Sequence, residues 1–183
     1  MKSHIYILFG VITLALALSF GTCNGEDSGL EAWVIKVHDG DTVSVSFGQR
    51  REKIRLIGID APELFEEPWG KIVREHLRRL LGSPKRRGYL NPFGSTMVRI
   101  ETDVEKRDRY GRLLAYVWTK DGKCVNVEMV RDGLAVLYTV PPNVKYADIL
   151  RDAQREAKEA RTGIWRRGLE ESPRQYRKEH PRS

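Results

Sequence analysis

Five charged residues stand at the edges of apolar runs, in three short clusters: His38-Asp39-Gly40-Asp41-Thr42, then Arg55-Leu56-Ile57-Gly58-Ile59-Asp60-Ala61-Pro62-Glu63, then Asp108-Arg109-Tyr110-Gly111-Arg112. Asp41 opens one extended run, Asp60 closes another, and Glu63 follows it. If these runs pair as strands, three carboxylates converge. Such a group repels itself unless a cation neutralises it, and hard carboxylate oxygens suit Ca²⁺ or Mg²⁺. Arg55, at the opposite end of its apolar run from Asp60, needs a carboxylate or phosphate to accept its fork of donors. A cation flanked by Arg55 and Arg112 has the parts that phosphodiester cleavage requires. The metal polarises a phosphoryl oxygen, and the guanidinium groups stabilise charge growing in the transition state. Glu63 is then placed to orient or deprotonate the attacking water. Each effect lowers the barrier by a few kcal/mol, so losing one costs about a hundredfold in rate or more.

The remaining sequence must position these groups. Ala32 to Val37 and Thr42 to Phe47 read as strands joined by a turn at Asp39-Gly40, for which a type I′ hairpin is the default form. Lys53 to Ile59 reads as a third strand, and Pro62 fixes the loop after it. Apolar residues recur at helical spacing from Trp69 to Leu81, through Ile72, Val73, Leu77 and Leu80. A basic Gly/Pro-interrupted insertion follows, Gly82 to Ser95, carrying Lys85, Arg86, Arg87, Tyr89 and Phe93. Thr96 to Val104 and Leu113 to Trp118 look like two further strands, and Asp121-Gly122 marks a turn. Asn126 is suited to cap a short helix that runs to Arg131 and ends at Gly133. Leu134 to Tyr138 is a short extended piece. A last amphipathic helix, Tyr146 to Ala160, aligns Tyr146, Ile149, Leu150, Ala153, Ala157 and Ala160, with Gly163 beyond it. Five short strands with a helix after the third imply an α+β fold, a five-stranded OB-like β-barrel with about three helices. Such barrels frequently bind single-stranded nucleic acid.

Composition bounds the function. The chain has 183 residues, 40% of them hydrophobic, which suits a single globular domain rather than a disordered chain. Lys and Arg total 32 against 25 Asp and Glu, a net charge of +7, and a cationic surface attracts polyanions. Lys2 and His4 precede the apolar run Ile5 to Phe20, with small residues around Ser19, Gly21, Thr22 and Cys23, the pattern of a secretory signal peptide. That run is shorter than the roughly 20 apolar residues needed to span a bilayer. Residues 1–23 are therefore expected to be a signal cut after Gly21 or Cys23, giving a secreted or periplasmic protein; the alternative is a lipid anchor on Cys23. Residues 24–30 form a linker, 31–165 the folded domain, and 166–183 a basic, mobile tail. Cys124 is then a lone buried thiol in a strand, and the scarcity of Cys and His argues against a zinc site. Any metal must be held by oxygen.

With the D-G-D-T-V, R-L-x-x-x-D-x-P-E and D-x-Y-G-R segments at Asp39 to Val43, Arg55 to Glu63 and Asp108 to Arg112, the chain resembles the thermonuclease family, the staphylococcal nuclease-like enzymes. The resemblance runs from Glu31 to Trp165 and includes Asn126, Arg131 to Ala135 and Gly163-Ile164-Trp165. It implies that Asp41, Asp60 and the backbone carbonyl of Ala61 ligate Ca²⁺, that Arg55 and Arg112 bind the scissile phosphate, and that Glu63 is general base or water-orienting residue. It further implies cleavage of the P–O5′ bond to leave 3′-phosphates, on DNA and RNA with little sequence preference. The expected substrate is single-stranded or breathing nucleic acid, and the expected state is a monomer with no stable protein partner. Ala61 stands where some members carry Thr, so a hydroxyl is lost and the carbonyl kept. Tyr138 matches one of the family's two nucleotide-contacting tyrosines, and Val140 replaces the other. Arg109 and Tyr110 join Tyr138 as substrate-binding candidates, Tyr110 by stacking on a base or by supporting Arg112. The competing readings are structural: Asp39 and Asp41 as turn residues, Arg55 and Asp60 as an ion pair, Arg112 as a solvated strand end, and Lys106, Arg107 and Arg109 as a solvated turn. His38 is read as a packing or surface residue and Trp33, Trp69, Trp118 and Trp165 as core. The rival function is a non-catalytic OB module that binds nucleic acid.

Overall fold

The computed structural model describes residues 29–82, 96–167, 172–179 and Pro181. The signal segment 1–23, most of the linker, residues 83–95 of the insertion and the remainder of the tail lie outside the described residues. Seven strands and four α-helices follow in order: β1 (Leu30–Val37), β2 (Thr42–Phe47), β3 (Arg50–Leu56), β4 (Ile59–Asp60), α1 (Trp69–Leu80), β5 (Met97–Glu101), β6 (Leu113–Trp118), α2 (Val125–Arg131), β7 (Val136–Leu137), α3 (Ala147–Glu159) and α4 (Pro173–Glu179), with a 3₁₀ turn at Gly163–Arg167 before α4.

Five strands close a barrel in the order β1-β2-β3-β6-β5. Alternation drives it: Val43 and Val45 of β2, and Ile54 and Leu56 of β3, point into the core, so their neighbours face outward. All neighbours are antiparallel except β3 and β6, which pair in parallel with Arg55 opposite Leu114. Closure leaves no barrel edge exposed. β4 and β7 form a separate two-stranded sheet with Asp60 opposite Val136. α1 buries Val73 and Leu77, and α3 buries Leu150, Ala153 and Ala157.

The α+β fold with its five-stranded OB-like barrel is therefore present, with four α-helices among the described residues. Several local readings change. The run Lys53 to Ile59 is two strands, because Gly58 takes φ +79°, a conformation that turns the chain and that an L side chain resists. Asp39-Gly40 is not a type I′ turn: Gly40 lacks the positive φ it requires. Instead His38 N donates to Thr42 O at 2.9 Å, and Asp39 Oδ1 accepts Asp41 N at 3.1 Å. Gly40 answers a steric demand, since a Cβ there would sit 2.4 Å from Val73 Cγ1 and 2.6 Å from Ala61 Cβ. β5 stops at Glu101, where the chain leaves the barrel and Asp103 Oδ2 accepts Lys145 N at 3.1 Å.

Asn126 does not cap α2. It lies inside the helix, fully buried, with Oδ1 accepting Val117 N at 3.0 Å and Nδ2 donating to Ile57 O at 2.8 Å. It therefore ties β6 to the β3–β4 turn. Cys124 is buried at the start of α2 rather than within a strand, and burial pushes its thiol up to about 11. Ile149 is half exposed, off the packed face of α3. Within the tail expected to be mobile, Pro173–Glu179 forms α4, fixed by two arginines described below.

Candidate active site

Strand register brings the first two clusters together. Thr42 of β2 pairs with Arg55 of β3, so Asp41 sits beside Arg55 at the end of the ribbon, and Leu56 N donates to Asp41 O at 2.9 Å. The turn at Gly58 then reverses the chain into β4, which ends at Asp60. Arg55 Nη2 lies 3.0 Å from Asp41 Oδ2 and 3.6 Å from Asp60 Oδ1, while its Nη1 donates to Leu56 O at 2.7 Å. One guanidinium thus stands between two buried carboxylates. Asp41 is fixed further by Thr42 Oγ1, which donates to Oδ1 at 3.0 Å, and by Ala61 N, which donates to Oδ2 at 3.1 Å. The small Gly40 permits that approach of the β1–β2 turn to Ala61.

The charge balance at this point is negative. Burial raises the Asp60 carboxyl above the usual range, and the neighbouring Asp41 adds to the rise; Arg177 and Arg55 pull the other way without cancelling it. Asp39 is pushed up to about 6, first by burial and then by the nearby charges of Asp41 and Glu63. Glu63 follows the Ala61-Pro62 loop, its carbonyl accepting Glu66 N at 2.9 Å. A buried concentration of carboxylates with an unfavourable self-energy is a site that gains from a cation.

Among the described residues, no group of three or more His, Cys, Asp and Glu side chains forms a ready-made metal cage. The candidate donor set is Asp41, Asp60 and the Ala61 carbonyl. Its fit to a cation rests on an observed one: Arg177 of α4 places Nη2 at 2.6 and 2.7 Å from the two Asp60 oxygens and Nη1 at 3.3 Å from Ala61 O. The Asp60 and Ala61 oxygens converge on a position that already accommodates positive charge, while Asp41 faces the adjacent Arg55, and these hard oxygens suit a divalent ion of the calcium class.

Arg112 stands at the entry to β6. The parallel pairing of Ile54 with Leu113 sets it beside Lys53, two residues before Arg55. Its Nε donates to Asp108 Oδ2 at 2.6 Å, and Asp108 Oδ1 accepts the backbone N–H groups of Tyr110 and Arg112 at 2.9 and 3.0 Å. Burial alone would raise Asp108, but Arg112 and these amides hold it below the usual carboxylate range. Lys53, Tyr110, Gly111 and Arg112 line an open cleft. Tyr110 is two-thirds exposed, with the Arg109 and Arg112 guanidinium carbons 4.8 and 5.4 Å from its ring centre. Tyr138 follows β7, its N–H donating to Gly58 O at 2.8 Å, which sets it beside the strand that carries Asp60. His38 engages Ser44 Oγ at 2.8 Å, and Arg107 binds Glu52 and the Gly111 carbonyl, so both have structural partners.

Three residues of this region carry no signal in their local sequence. Lys53 is one more charge on an exposed strand face until the parallel β3–β6 pairing sets it by Arg112. Glu66 is buried and accepts Arg177 Nη1 at 3.1 Å, a contact across 111 positions that no spacing rule anticipates. Arg177 is hidden in a run of basic tail residues.

The comparisons agree with this architecture. Residues 53–167 match the family model described as staphylococcal nuclease homologue. The chain is 35% identical over 178 residues to a thermonuclease of Staphylococcus intermedius, covering 88% of this chain and 98% of that protein. It is 36% identical over 138 residues to a thermonuclease of Staphylococcus hyicus, covering 72% and 73%. It is also 34% identical over 134 residues to endonuclease YncB of Bacillus subtilis, covering 69% and 57%.

Proposed function

Because the chain belongs to the staphylococcal nuclease homologue family and is a nuclease, we propose that it is an exported, calcium-dependent enzyme hydrolysing DNA and RNA with little sequence preference. The observation that carries this reading is the convergence of Asp41 and Asp60 on the single guanidinium of Arg55 at 3.0 and 3.6 Å. In this reading Asp41, Asp60 and the Ala61 carbonyl hold Ca²⁺, and the remainder of the roughly 6–8 oxygens such an ion takes comes from water and substrate. When bound, the ion supplies Lewis-acid polarisation of a phosphoryl oxygen.

The chain's own residues do the rest. Arg55 and Arg112 approach the substrate from neighbouring strands and stabilise charge on the phosphoryl oxygens as it develops. Both are held before substrate arrives, Arg55 by Leu56 O and the carboxylates and Arg112 by Asp108, so little reorganisation is required at the barrier. Glu63 orients the attacking water or takes its proton. Cleavage of the P–O5′ bond leaves a 3′-phosphate. Tyr110, Arg109 and Tyr138 offer ring faces and a cation to the nucleotides flanking the break, a mode of contact indifferent to base identity.

The test follows cleavage of denatured DNA with Ca²⁺, with a chelator, and in the Arg55→Ala and Arg112→Ala proteins. Activity should require Ca²⁺ and fall about a hundredfold or more in each variant, with folding unchanged. Binding of DNA without cleavage under any divalent cation would overturn the reading and leave a nucleic-acid-binding barrel.

A further inference from the structure

The helix α4 brings two arginines, one turn apart, onto the candidate site. Arg177 engages both oxygens of Asp60 at 2.6 and 2.7 Å, Glu66 Oε1 at 3.1 Å and Ala61 O at 3.3 Å. Arg174 donates to Tyr138 Oη at 2.7 Å, with its guanidinium 5.1 Å from the ring centre. Pro173, at the start of the helix, is buried. One short helix thus covers a set of oxygens suited to a cation and a tyrosine suited to a nucleotide.

Arg177 Nη2 lies between the two Asp60 oxygens and Nη1 beside Ala61 O, so the guanidinium occupies the side of these acceptors that a cation bound to both would take. A guanidinium bound to both oxygens of Asp60 and a divalent ion ligated by the same carboxylate and by Ala61 O exclude one another, and two positive charges at one point repel. We propose that α4 is an autoinhibitory strap: Arg177 fills the cation position in the metal-free protein, and a divalent cation binds by displacing it and lifting α4 from the site. The inference rests on the assignment of Asp60 and Ala61 as cation ligands under Proposed function.

The arrangement has a quantitative consequence. A cation that binds only the strap-open form has its apparent affinity reduced by the fraction of molecules that are open. Hydrogen bonds to charged groups as numerous as those of Arg177 favour the closed form enough to weaken apparent binding by about tenfold or more. Removing the guanidinium should return that factor. Glu66 has the complementary role: it accepts the second arm of Arg177 and so holds the strap against the loop that bears Glu63.

Two measurements on the full-length chain test this. Calorimetric titration with Ca²⁺ alone should show binding about tenfold or more tighter in Arg177→Gln than in the parent. Millisecond hydrogen exchange on the unmutated protein should show residues 173–179 exchanging faster when Ca²⁺ is saturating, a readout that needs neither substrate nor variant. Equal or weaker Ca²⁺ binding by Arg177→Gln, or exchange of α4 indifferent to Ca²⁺, overturns the strap while leaving the cation site intact. Failure of Ca²⁺ to bind either protein removes both the strap and the cation site on which it rests.

Discussion

Arg112 owes its position to Asp108, whose two oxygens have separate tasks. Oδ1 closes the tight turn by accepting two backbone amides, and Oδ2 accepts the Arg112 Nε at 2.6 Å. Asp108→Asn keeps the first function and replaces the second with an NH₂ group that meets the arginine donor to donor. The turn should therefore survive while the guanidinium loses a charge-assisted contact of about 1.5–3 kcal/mol. Steady-state kinetics should show kcat reduced by roughly ten- to a hundredfold, with the fold retained and stability lowered by no more than that contact. In an Arg112→Ala background the same substitution should cost almost nothing further, because the two residues act as one unit. At this scale the motif residues were legible because charges at the ends of apolar runs have few purely structural uses. Glu66 and Arg177 were not, since their meaning lies in a contact between loop and tail that only tertiary packing creates.

Between elements, one buried carboxylate ties two barrel strands to the approach to α3. Glu101, the last residue of β5, accepts Trp118 Nε1 from β6 at 2.8 Å and Tyr146 Oη at 3.0 Å, and pairs with Lys145 at the approach to α3. Burial would raise its carboxyl, but Lys145, Tyr146 and Trp118 together hold it below the usual range. A carboxylate so lowered stabilises the fold above its unfolded pKa, and that contribution disappears as pH falls through the lowered value. Glu101→Gln should thus lower stability by about 1–3 kcal/mol at pH 7. Chemical denaturation at a series of pH values should show the gap between the two proteins closing below pH ~4. A gap independent of pH would mean that shape, not charge, is what Glu101 supplies. The strands themselves were legible as apolar runs of the right length: β2 by its Val43 and Val45 alternating with polar residues, and β6 as an uninterrupted apolar stretch with three consecutive residues buried. Local sequence misled at Lys53 to Ile59, where both sides of Gly58 are apolar and only the backbone turn separates strand from strand. It misled again at Asn126, a residue type favoured at helix ends whose amide here satisfies barrel backbone from inside the helix.

For the whole molecule, calcium supply, charge and export bear on one another. The candidate cation ligands number two carboxylates and a carbonyl, and both carboxylates already face arginines. Such a site is filled only where calcium is plentiful, on the order of 10⁻⁴–10⁻³ M, as outside cells. A strap held by Arg177 raises that requirement further, so a chain still inside the cell would remain closed. Under the proposed function and strap, export would convert a silent nuclease into an active one, and the net positive charge of residues 24–183 would favour its encounter with polyanions there. The reading depends on residues 1–23 acting as a cleaved leader rather than an anchor. Ile5 to Phe20 is shorter than the roughly 20 residues a bilayer requires, and Phe20-Gly21-Thr22 is a poor lipidation sequence before Cys23. Produced with its natural N-terminus in a secreting host, the protein recovered outside the cytoplasm should have the intact mass of a chain beginning at Thr22 or Asn24, with no added lipid. A mass that retains residues 1–23, or that carries acyl chains on Cys23, would tether the enzyme to a membrane and remove the argument that release and calcium switch it on together.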